Sequence, residues 1–152
     1  MAVYGYNELQ TIQPGVSALL NDIAPCNRGL VIHRPGSGIL TLKGSSGNPC
    51  NRFARYRVSY SCNIALPTGA TPGEIQVGLA IGGELIPISI AAATPTVVDA
   101  FWNVHSFADV DVPICCCDTV SLENASVSAT PATTPPPVIQ MRNLIIDVQR
   151  IA

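Results

Sequence analysis

Between Arg55 and Leu66 the chain alternates without a fault. Tyr56, Val58, Tyr60, Cys62, Ile64 and Leu66 take one parity, and Arg55, Arg57, Ser59, Ser61, Asn63 and Ala65 take the other. Side chains two apart share a face only when the backbone is extended, so the stretch predicts a strand with one face in a core and the other towards solvent or a neighbour. It ends at the turn cluster Pro67-Thr68-Gly69. A strand this long needs partners, and no apolar pattern of period 3.6 survives for three turns anywhere in the chain. The partners must therefore be strands, and the fold class expected is all-β.

The remaining segments fit that expectation. Glu74 to Ile81 alternates, Gly82-Gly83 supplies the positive φ angles of a two-residue hairpin turn, and Glu84 to Ile90 reads as the returning strand. Pro87 lacks a backbone donor and pushes that return towards a sheet edge or bulge. Thr96 to Val112 is a long strand whose pattern falters around Phe107, where a bulge or a break is expected. Thr119 to Asn124 is a shorter strand, Ser126 to Pro137 an extended loop, and Val138 to Ile151 a closing strand. Val16 to Leu20, Gly29 to His33 and Gly38 to Lys43 are short apolar segments between turns. About eight antiparallel strands at this spacing predict a sandwich or barrel. Met1 to Gln13 holds too few apolar residues for a core strand. It is expected to form an N-terminal arm over 1–13 that docks on a neighbour or on a larger shell, ahead of a single domain over 14–152.

Composition bounds the function. The 152 residues fit one domain, and only 12% are charged, against about 25% in soluble domains. Surface that poor in charge favours association over a lone subunit. Lys43 is the single lysine beside seven arginines scattered from Arg28 to Arg150. No basic stripe forms, so nucleic acid is not expected as a partner. The first residues show no basic segment followed by an apolar run, and no stretch reaches the ~18 apolar residues that cross a bilayer. Cytoplasmic synthesis and no membrane partner are the expectation.

Signals for chemistry are sparse. A Cys-His pair of His105 with Cys115, Cys116 or Cys117 is conceivable, but no nucleophile-elbow, zinc-protease or P-loop motif accompanies it. His33-Arg34-Pro35-Gly36-Ser37-Gly38 leads into a strand, not a helix, so it reads as a tight connection and not as a phosphate cradle. Asp109 and Asp111, with Asp118 nearby, offer oxygen ligands for calcium, yet lack a binding-loop pattern and read better as a solvated edge. No paired C-x-x-C spacing supports zinc, and Cys62 falls on the apolar parity as a small buried hydrophobe. Asn124-Ala125-Ser126 matches a glycosylation acceptor without a secretion signal beside it. Cys26 and Cys50, both in Pro/Asn-rich turns, are the pair expected to oxidise to each other if the protein leaves the cell. No catalytic residue, metal or cofactor is expected.

Several segments together resemble a known family. They are Gly38-Ile39-Leu40-Thr41-Leu42, the long strand Phe53 to Leu66, the hairpin from Ile75 to Pro87, and the terminal Leu144 to Ala152. The layout resembles the tumour-necrosis-factor and complement-C1q-like jelly rolls, in the bacterial branch that caps collagen-like spore-surface glycoproteins and recurs in bacteriophage structural proteins. Cys115-Cys116-Cys117-Asp118-Thr119-Val120-Ser121-Leu122-Glu123-Asn124 is similar to phage variants with a Cys-rich turn before the strand. The resemblance implies a TNF-like jelly-roll β-sandwich and a homotrimer about an axis lined by apolar side chains of one sheet. Tyr4, Phe101 and Phe107 are the candidate interface residues. The function expected is a non-enzymatic virion protein, a capsid-decorating or fibre-type trimer whose partners are capsid or other virion proteins. A receptor- or glycan-binding fibre head, or a bacterial spore or cell-surface protein, is the alternative.

Overall fold

The computed structural model describes residues 1–22, 31–44, 52–127 and 134–152. In chain order the strands are β1 (Ala2–Tyr6), β2 (Gln10–Ile12), β3 (Asn21–Asp22), β4 (Val31–His33), β5 (Ile39–Lys43), β6 (Phe53–Ala65) and β7 (Ile75–Ile81). There follow β8 (Glu84–Leu85), a 3₁₀ turn (Pro87–Ser89), β9 (Ala91–Ala93), β10 (Trp102–Pro113), β11 (Cys117–Asn124) and β12 (Ile139–Arg150). One sheet runs β10-β6-β12-β1-β3, with β2 also on β12; the other runs β4-β5-β11-β7-β8, with β9 on β7. From β5 to β12 the chain passes repeatedly between the sheets, and first and last long strands lie side by side. This winding is a jelly-roll sandwich, as the alternation implies.

The predicted strand over 55–66 becomes β6, seated between β10 and β12. Its inward parity (Tyr56, Val58, Tyr60, Cys62, Ile64) is buried against Leu40, Leu42, Leu79 and Leu122 of the second sheet. Two phenols cross the core. The Tyr56 hydroxyl donates to the Lys43 carbonyl at 2.5 Å, and that of Tyr60 to the carbonyls of Ser89 (2.7 Å) and Val77 (3.1 Å). Burial pushes the Cys62 thiol up to about 12, so it stays protonated and packs as a small hydrophobe.

Gly82 and Gly83 have φ of 58° and 84°, the two positive angles that a two-residue hairpin turn requires. The returning strand is shorter than predicted. Pro87 starts the 3₁₀ turn, in which the buried Ser89 Oγ accepts from Leu79 N (2.8 Å) and donates to Ile86 O (2.7 Å), and pairing resumes at Ala91. Residues 96–101 are a connection, not strand, with Asp99 at φ 59° donating its N–H to the Leu66 carbonyl at 2.8 Å. The bulge or break expected at Phe107 is absent, since β10 pairs with β6 in one register from Trp102 to Pro113. Phe107 is an apolar residue on the outward parity, which made the alternation falter without any break in the backbone. The register shift lies in β12 instead, between Arg142 and Ile145, with Asn143 at φ 52°.

The expected arm over 1–13 is a strand region of this chain's own sheet. β1 pairs with β12 and β3, and Gln10–Ile12 extends along β12. A strand with one inward face needs few apolar residues: Ala2, Tyr4 and Ile12 are buried, enough to anchor it. The account predicts that Tyr4→Ala costs about 3–5 kcal/mol of stability, the range for large aromatic truncations in a core. Urea unfolding followed by near-ultraviolet circular dichroism measures it; a change under about 0.5 kcal/mol, typical of surface positions, contradicts the buried strand.

Candidate functional site

Because β10, β6, β12 and β1 are adjacent, their outward side chains form rows across one face. The register aligns Asp111 with Arg55, and Asp109 with Arg57 and Gln149. The next rows are Phe107, Ser59, Asp147 and Val3, then His105, Ser61, Ile145 and Gly5. Phe107 is 55% exposed, and Phe53 and Ile145 are comparably open. Apolar groups thus lie among small polar ones on a sheet face where solvent would favour charge.

Four of the charges on this face cancel in two pairs. Arg55 Nε and Nη2 donate to Asp111 at 2.6 and 2.7 Å, and Arg57 Nε and Nη2 donate to Asp109 at 2.8 and 2.9 Å. Both pairs are two-pronged, the geometry that a planar guanidinium favours with a carboxylate. The Arg57 guanidinium also stands 5.1 Å from the centre of the Phe107 ring. Hydrogen bonds from the arginines hold Asp109 and Asp111 below the usual carboxylate range and raise the arginines. Exposed pairs of this kind add little to the stability of a lone chain. They do leave these four groups with little net charge to desolvate. The Asp147 Oδ1 atom, on the same face, is buried and has no hydrogen-bond partner among the described residues.

The expected interface residues separate. Phe107 lies midway along β10, the edge strand of this face. Phe101 is half-buried under Arg142, whose guanidinium sits 3.9 Å from its ring centre. Tyr4 does not reach the face: it points into the core, edge-on to the His33 ring at 5.0 Å, because it occupies the inward parity of β1. The expected disulfide partners Cys26 and Cys50 lie outside the described residues. Phe53, Ile145 and the arginine–aspartate ladder were missed, although Arg55-x-Arg57 and Asp109-x-Asp111 carry matching two-residue spacings that point to a ladder once the strands are paired.

The weaker sequence signals resolve as structure. His33 Nε2 donates to the Ser37 carbonyl at 2.9 Å, and Ser37 N to that of Arg34 at 2.9 Å, closing a tight turn. His105 is eight residues from Pro113 along one strand, about 26 Å at 3.3 Å per residue, so no Cys-His pair forms with the turn beyond it. Asp118 lies on the second sheet, its Oδ1 accepting from Thr119 N at 2.8 Å, away from the ladder. Among the described residues no group of three or more His, Cys, Asp or Glu side chains is placed to hold a metal. Asn124 is buried and donates from Nδ2 to the Ile12 and Pro137 carbonyls, both at 3.0 Å, which makes it a brace and not an accessible glycosylation acceptor.

No family model and no curated sequence matches the chain. Among solved structures, the globular domain of zebrafish complement 1qA protein aligns over 100% of this chain and 98% of that one, with 11% identity and a TM-score of 0.49. The EclA C-terminal domain, a sugar-binding protein, aligns over 93% and 78% respectively, with 14% identity and a TM-score of 0.43. The jelly-roll assignment rests on the strand order itself.

A depressed carboxylate pKa gives a stability contribution that is present above the ordinary value of 3.8 and lost as pH falls through the folded-state value. The double variant Asp109→Asn with Asp111→Asn is expected to flatten the fall of the urea midpoint on acidification below about pH 4. Because exposed pairs contribute little, the flattening is small, and nuclear magnetic resonance titration of both carboxyls at their ordinary value of 3.8 contradicts the ladder.

Proposed function

We propose that the chain is a non-enzymatic structural subunit that works by self-association through the outer face of its first sheet, as a homotrimer that decorates or forms fibres on a bacteriophage particle. The observation that carries the reading is the combination on that face of exposed Phe107, Phe53 and Ile145 with two arginines and two aspartates already paired with each other. Interfaces are depleted of free charge and enriched in aromatics and arginine at their centres, and this face has that make-up. An arginine–aspartate pair formed within one subunit enters an interface at less cost than two separate charges, since each already stabilises the other. The low charge content of the chain as a whole points the same way.

Burial, and not bond chemistry, is the mechanism. A standard interface removes about 800 Å² from each partner, and the aromatic and aliphatic groups on the face supply the apolar part. The virion placement, with synthesis in the host cytoplasm and capsid or other virion proteins as partners, is supported by the likeness of Cys115–Asn124 to the Cys-rich turn of phage variants. A second reading, a receptor- or glycan-binding head, is favoured by Trp102, which is 50% exposed where β10 leaves the 96–101 connection. Sugars stack on such rings, and quenching of its fluorescence by added oligosaccharide would support that reading.

The experiment is a comparison of the native chain with Phe107→Asp by light scattering on a sizing column in reductant. The native mass is expected near three times 15.9 kDa, and the variant is expected to stay folded and fall to one chain. A native chain that is monomeric at every concentration tried overturns the proposal, as does a Phe107→Asp variant that keeps the trimer. Peptides of the chain in purified particles of the virus that encodes it would support the virion placement; their absence would remove it.

A further inference from the structure

The turn from β10 to β11 carries three successive cysteines, Cys115, Cys116 and Cys117, all exposed and none in a disulfide. Backbone bonds fix it on both sides. Cys116 N donates to Pro113 O at 3.1 Å, Ile114 N to Arg52 O at 2.9 Å, and Gly44 N to Cys116 O at 2.8 Å. A Cβ on Gly44 would come within 1.9 Å of the Pro113 oxygen, so the turn is seated against β5 and is not a loose tip. Cys115 sits at φ 60°, where glycine is the unstrained choice. Packing does not explain these side chains, because none is in the core.

Adjacent thiols of the turn have no relaxed outlet in each other. Consecutive Cα atoms are about 3.8 Å apart, below the roughly 4.4–6.8 Å that a relaxed disulfide spans. Sequence neighbours in the turn therefore bridge each other only with distortion. Cys62 is sealed in the core, and no metal-holding group includes the turn. The turn does, however, directly continue β10. Pro113, the last residue of that strand, pairs with Phe53, so the cysteines stand at the end of the face assigned to self-association.

We propose that the Cys115–Cys117 turn is a covalent cross-linking site whose partner is the same turn on a second copy of this chain. This rests on the trimeric reading: a ring of three closed by disulfides needs two thiols from each subunit, one for each neighbour, and the turn supplies three. The oxidant is a small disulfide such as oxidised glutathione. A thiolate of one subunit attacks its S–S bond, forming a mixed disulfide and releasing one reduced glutathione. A thiolate of the neighbouring subunit then attacks the protein sulfur of that mixed disulfide, forming the Cys–Cys bond and releasing the second. Two protein thiols are oxidised, one glutathione disulfide is reduced, and the two thiol protons end on the two released glutathiones.

The test uses the full chain and the triple variant Cys115→Ser, Cys116→Ser, Cys117→Ser, each treated with oxidised glutathione and then alkylated. Each sample is read by non-reducing electrophoresis, by light scattering, and by mass spectrometry of its peptides. The native chain is expected to give two- and three-chain bands that reductant removes, with peptides joining Cys115–Cys117 of two copies. The variant is expected to lose those bands completely while keeping the native scattering mass and melting temperature. A native trimer by scattering that stays uncross-linked overturns the inference and leaves the trimer standing. Bands that persist in the variant, or a bridge within one chain, between Cys115 and Cys117 or from the turn to Cys26 or Cys50, overturn it as well. A single-chain scattering mass with no cross-link removes the trimeric reading and the inference with it.

Discussion

The pairing of β6 with β10 on one side and β12 on the other sets the position of nearly every other group. Its register with β10 runs unbroken from Trp102 to Pro113. Period-2 alternation then divides the residues of three long strands into an inner and an outer set. A slip of one residue would bring Arg55 and Arg57 into the core and turn Tyr56 and Tyr60 out, so the cost of mispairing is the cost of burying unpaired charge. The inner set is tied to the second sheet by two phenol hydroxyls, while the outer set makes a face on which Arg55 and Arg57 pair with aspartates of the next strand.

How much of this could be read in the sequence follows from the same division. Alternation is local, so β6, the hairpin at Gly82-Gly83 and the closing strand were legible. Register is not local. The Arg55–Asp111 and Arg57–Asp109 pairs join residues 56 and 52 positions apart, and no window of the sequence contains both ends. The N-terminal strand was misread for a different reason. A count of apolar residues over 1–13 is low, yet a strand with one face inward needs only Ala2, Tyr4 and Ile12 to be buried. Phe107 misled in the opposite sense. An aromatic on the outward parity looks like a broken pattern, and it reads as a bulge or a break although the strand is continuous. Its inclusion among the interface candidates came from the family resemblance.

Polar groups brought into the interior serve as fasteners. Asn124 bridges the Ile12 and Pro137 carbonyls, and Ser89 satisfies Leu79 N beneath the 3₁₀ turn. Outside, the sandwich presents a sheet face on which Phe107, Phe53 and Ile145 are exposed beside paired arginines and aspartates, and a fixed turn of thiols at the end of that face. These two features, in a chain of low charge, are what the proposed self-association rests on.

The claim that neighbouring copies cover the first sheet is tested most directly by hydroxyl-radical footprinting of the native protein in reductant. Phe107 and Trp102 are similarly open in the lone chain, at 55% and 50%, while Ile88 stands at 82%. Phe107 and Phe53 are predicted to be strongly protected, after allowance for the intrinsic reactivity of each residue type, while Trp102 and Ile88 are oxidised as their exposure dictates. Oxidation of Phe107 and Phe53 in line with their exposure in the single chain would contradict the account, because the face would then be open to water.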